Sequence, residues 1–90
     1  MSAALFTSAS EHAVNPRSYE KARAIVAEIE HALRATGYMP LRELRVSAAN
    51  SVISLRGRVP TYHLKQLAQA TAMAVAPVHQ VCNEIDVVSL

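Results

Sequence analysis

His12, His31, His63, His79 and Cys82 are the side chains of this chain best suited to metal ligation or to base and nucleophile chemistry. No two of the histidines come at the spacing that would place them on one metal ion. Cys82 lies between Val81 and Asn83, with no basic neighbour except His79, so nothing local argues for an activated thiolate. No serine or cysteine can be assigned both a base and an oxyanion donor from local spacing. The expectation is a non-enzymatic chain with no metal, no cofactor and no catalytic residue.

What remains is recognition. Arg45, Arg56 and Arg58 form one basic cluster, which suits phosphate or an anionic lipid headgroup. Glu43, Glu84 and Asp86 are expected on the same face, and their cross-strand pairing would leave it nearly neutral. Nucleic acid binding through such a face would want aromatic platforms. The three strand segments carry no Phe, Tyr or Trp, so nucleic acid is not expected and stands only as a remote alternative.

A second feature is the segment Thr61 to Ala76, whose single formal charge is Lys65. Helical geometry sets Tyr62, Gln66, Gln69 and Met73 away from the core, as an uncharged stripe with Tyr and Met at its ends. Charge depletion with aromatic and Met enrichment marks interfaces, so the stripe points to a protein partner or to a second copy of the chain. The alternative is that alanine and glutamine make a stable, tolerant helix surface. The flanking lysines and arginines of a membrane-surface helix are missing.

Bulk properties bound these readings. Ninety residues suffice for one domain and leave little room for an enclosed active site. Half of the residues are apolar (51%), yet no run approaches the ~20 needed to cross a bilayer, so no transmembrane segment is expected. Nine basic against seven acidic residues give a net charge of +2, which does not make a polycation. A lone cysteine excludes an internal disulfide. The start, MSAALFTSAS, has no basic residue before its short apolar stretch, which reads as cytoplasmic without a signal peptide; the cell envelope is the alternative if a leader was removed.

The elements follow from periodicity. Residues 1 to 14 lack a sustained pattern and are read as a flexible arm that docks, if at all, through Leu5 and Phe6; residues 15 to 90 are the folded domain. Asn15 and Pro16 suit the start of a helix that runs to about residue 36, with Ala22, Ile25, Val26, Ile29, Ala32 and Leu33 on its core face. Gly37 is placed to cap it and Pro40 lies beyond its end.

Leu44, Val46 and Ala48 alternate with polar residues as in a half-buried strand, and Ile53, Leu55, Gly57 and Val59 do so in a second. With Asn50 and Ser51 between them, the two form a hairpin whose turn type stays open. Pro60 ends the second strand, and Thr61 caps a helix that buries Leu64, Leu67, Ala68, Thr71 and Val75. Val81, Asn83, Ile85 and Val87 alternate in a third strand. The fold class is therefore α+β: a two-layer αββαβ sandwich, with a three-stranded sheet, both helices on one face, and the last two strands parallel.

Two inward positions are unusual. Gly57 is expected to lie where a helix packs too closely to admit a side chain, although a ligand approaching the backbone would also explain it. Asn83, facing the core, must find partners, and is read as a tie to a neighbouring loop.

The string Val52, Ile53, Leu55, Gly57 and Val59, followed by Val78, Val81, Asn83, Ile85 and Val87, resembles the BON domain family over residues 18 to 88. The chain departs from the family pattern at Ser51 and Pro77, where glycine is usual. The resemblance implies an αββαβ fold, no enzymatic activity, and a role in attachment to phospholipid membranes or to envelope proteins. The leading expectation is a binding module for a protein partner or itself through Tyr62, Gln66, Gln69 and Met73. Anionic phospholipid binding through Arg45, Arg56 and Arg58 is the alternative.

Overall fold

The computed structural model describes residues 16–88, with side chains from residue 19 onward. The expected arm at residues 1–14, with Leu5, Phe6 and His12, and the expected cap Asn15 lie outside the described residues.

Helix α1 spans Pro16–Ala35 and buries Ile29 and Leu33 completely, as its periodicity predicts. Gly37 follows with φ +85°, the left-handed conformation that glycine adopts without a Cβ penalty, and its amide bonds to Arg34 O at 3.1 Å. A one-turn helix, α2 (Met39–Arg42), comes next and was not expected. Pro40, read as a residue beyond a helix end, instead sits at the start of this turn, where the missing N–H costs nothing. Leu41 is buried by it.

Strands β1 (Arg45–Ala49) and β2 (Val52–Val59) form the antiparallel hairpin. Asn50 and Ser51 both have positive φ, +53° and +65°, as a two-residue type I′ turn requires. Thr61 then caps helix α3 (Tyr62–Val75), its Oγ1 accepting the Leu64 amide at 3.2 Å. Strand β3 (Gln80–Val87) returns parallel to β2, giving the sheet order β1-β2-β3.

Inward residues Ile53, Leu55, Val59 and Ile85 form one core with Ile29, Leu33, Leu41, Leu44, Leu64, Ala68, Ala72 and Ala76. Outward residues Arg45, Ser47, Arg56, Arg58, Glu84 and Asp86 are exposed. Both long helices therefore lie on one face, and the chain is the expected two-layer α+β sandwich with one extra helical turn. The core line of α3 is rotated slightly from the expected one: Ala72 and Ala76 are buried, whereas Thr71 is half-buried and bonds back to Leu67 O at 2.8 Å.

Gly57 has a different neighbour from the one expected. A Cβ there would meet Leu44 Cδ2 at 2.6 Å, so the crowding comes from the residue just before β1 and not from a helix. Its φ of +144° also favours glycine.

Candidate interaction surfaces

Helix α3 owes its orientation to two anchors. One is the Thr61 cap; the other is Asn83 on β3, whose Nδ2 donates to Lys65 O and to Gln69 Oε1, each at 3.1 Å. The tie predicted for Asn83 thus exists but runs to this helix instead of a loop. With Leu64, Ala68 and Ala72 turned into the core, the opposite side of α3 is open among the described residues.

Tyr62 (63% exposed) and Met73 (50%) stand on that open side, and Gln66 is exposed between them. Ala70 and Ala74 are also exposed and add small apolar area that the sequence reading did not single out. Gln69 is half-buried: its amide is spent on Asn83 and on a 3.9 Å contact to Met73 Sδ. It therefore belongs to the seam between α3 and β3 more than to the free stripe. Lys65, the one formal charge of the helix, lies half-buried on the same seam.

The three arginines share the outer sheet face. Arg45 lies directly opposite Arg56, Arg56 opposite Glu84, and Arg58 opposite Asp86. Arg56 Nε bonds Glu84 Oε1 at 2.7 Å, with the two side chains 70% and 53% exposed. Among the described residues this is the one ion pair of the face, and in water such a pair contributes only about 0.2–1 kcal/mol. Glu43 is not a strand residue: it is the C-cap of α2 and lies in a groove beside Arg58.

That groove, of about 390 Å³, marks an apolar surface not anticipated from the sequence. Met39 and Pro40 form one wall, Val59, Pro60 and Val88 the other, and Met39 is 61% exposed. The signal was the run Tyr38-Met39-Pro40-Leu41, in which a proline starting a single helical turn looks the same as a proline following a longer one.

His31 and His63 are exposed on different helices, and His79 is half-buried at the entry to β3, its Nδ1 shielded and without a hydrogen-bond partner among the described residues. Among those residues no three metal-ligating side chains gather.

A family model described as the BON domain matches residues 21–89. The chain belongs to the BON domain family. BON domains are binding modules of a non-catalytic type. No curated protein matches this chain at a significant level. In this BON domain, Ser51 takes the left-handed turn position at φ +65°, so the departure from glycine is accommodated without changing the hairpin. Pro77 stands in the short connection after α3 and leaves the β2–β3 pairing intact. Among the described residues no helix is long and apolar enough to cross a membrane.

Proposed function

We propose that this BON domain is a protein-interaction module whose contact face is the outer side of α3, centred on Tyr62, Gln66 and Met73, with Gln69 at its margin. One observation carries the reading: two large apolar side chains stand out from a helix face that bears no formal charge. Such a face costs little to desolvate, and Tyr and Met offer large contact area. The occupant is a protein partner or a second copy of the chain.

Sedimentation velocity over a range of concentrations tests the self-association form. The wild type is expected to associate, and Tyr62→Glu combined with Met73→Glu to remain monomeric with an unchanged circular dichroism spectrum. A wild type monomeric at every concentration removes that form.

A second reading, attachment to anionic phospholipid, is favoured by the placement of Arg45 directly opposite Arg56. Like charges facing one another are unfavourable, and a phosphate between them would relieve the repulsion. Arg58 adds to the same face.

A further inference from the structure

Among the described residues, the pairing of β3 decides which of its backbone groups are free. The parallel ladder begins with Gln80 N–H to Ser51 O and ends with Val88 N–H to Val59 O. Even-numbered residues of β3 therefore turn their amides toward β2, and Val81, Asn83, Ile85 and Val87 turn theirs to the open edge. Exposed edges are templates for strand addition, and proteins usually guard them with charged side chains, Pro, a bulge or a covering segment. Eight residues long, β3 carries no Pro and no Lys, and its charged side chains are Glu84 and Asp86 on the outer face.

Its guard is a side chain. Asn83 Oδ1 accepts the Ile85 amide at 3.2 Å, which removes a central donor from the edge. The carboxamide is held in that position by its two bonds to Lys65 O and Gln69 Oε1 on α3. One side chain thus satisfies one of the four outward amides and fastens the strand to the helix above.

We infer that the free edge of β3 is a strand-addition surface for a second copy of this chain, and that Asn83 holds it shut. A second copy fits because the edge is compatible with itself. In an antiparallel pairing about a two-fold axis at Asn83, Glu84 of one copy faces Cys82 of the other, and Asp86 faces Gln80, so no like charges are opposed. Centring the axis one residue later would set Glu84 against Glu84. The axis stands perpendicular to the sheet, so both helical layers remain on one side of a six-stranded sheet. This inference stands on the β3 edge and not on the α3 stripe, and the two tests fail separately.

The test is the full chain with Asn83→Val, followed by sedimentation velocity and by amide hydrogen exchange. Releasing Ile85 N–H in each copy should tighten self-association by about tenfold or more, the worth of two added backbone hydrogen bonds. The amides of Val81 and Val87 should become protected as concentration rises, while those of Cys82 and Glu84, which face β2, stay protected throughout. Should Asn83→Val fail to fold, Asn83→Leu carries the same test, because it keeps the side-chain volume packed toward α3 while offering the Ile85 amide no acceptor. A folded variant that associates no more tightly than the wild type, or whose Val81 and Val87 amides exchange equally fast at all concentrations, overturns the inference.

Discussion

Leu44 Cδ2 fills the space that a Gly57 side chain would need, at 2.6 Å from the position of its Cβ. The two residues lie one step beyond the last paired residues of the hairpin, Arg45 and Arg56. Gly57→Ala must therefore both displace a buried leucine and hold alanine at φ +144°. A loss of about 1–3 kcal/mol is expected in urea denaturation. Adding Leu44→Ala should recover the steric part and leave the backbone part, so the two changes will be less than additive.

Removing the cap of α3 should be felt globally. Thr61→Ala leaves the Leu64 amide without its acceptor and is expected to lower stability by about 0.5–2 kcal/mol, whereas Thr61→Ser should stay near wild type. Thermal denaturation followed by circular dichroism measures the difference.

The hairpin can be improved. Ser51 pays for a left-handed backbone that glycine adopts freely, and Asn-Gly is the preferred type I′ pair. Ser51→Gly should stabilise the domain by about 0.5–1 kcal/mol, seen as a rise of a few degrees in Tm. No rise would mean that the turn is relaxed with serine in place.

On the sheet face, Glu84→Gln should cost under about 1 kcal/mol, because the ion pair with Arg56 is exposed. The same change leaves Arg45, Arg56 and Arg58 less neutralised. If the lipid reading holds, co-sedimentation with anionic vesicles will increase, fall again on adding salt, and vanish with Arg45→Glu and Arg58→Glu. Equal binding of the wild type to anionic and neutral vesicles would end that reading.

Much of this architecture is written in local pattern. The alternation of Ile53, Leu55 and Val59 and the three- and four-residue recurrence of Ile25, Ile29 and Leu33 are local properties of the chain, and the layers follow from them. Less legible were relations that depend on register. That Leu44, and not a helix, crowds Gly57 follows from a cross-strand alignment which alternation leaves unspecified by multiples of two residues. The half-burial of Gln69 was hidden for a similar reason: a helical wheel sets it on the outer side, but Asn83 draws it in from a strand fourteen residues away. The turn α2 was too short to show any period.

The placement of β2 between two unlike neighbours sets an order of assembly. Its antiparallel partner is reached through two residues, and such a hairpin closes in about 1–10 μs. Its parallel partner is reached only across α3, with Arg56 and Glu84 separated by 28 positions. Loop closure over that distance gains nothing until the helix is in place to receive Asn83. Strand β3 should therefore join last, and slowing or weakening α3 should show as slower refolding, while damage confined to the far end of β3 should show as faster unfolding.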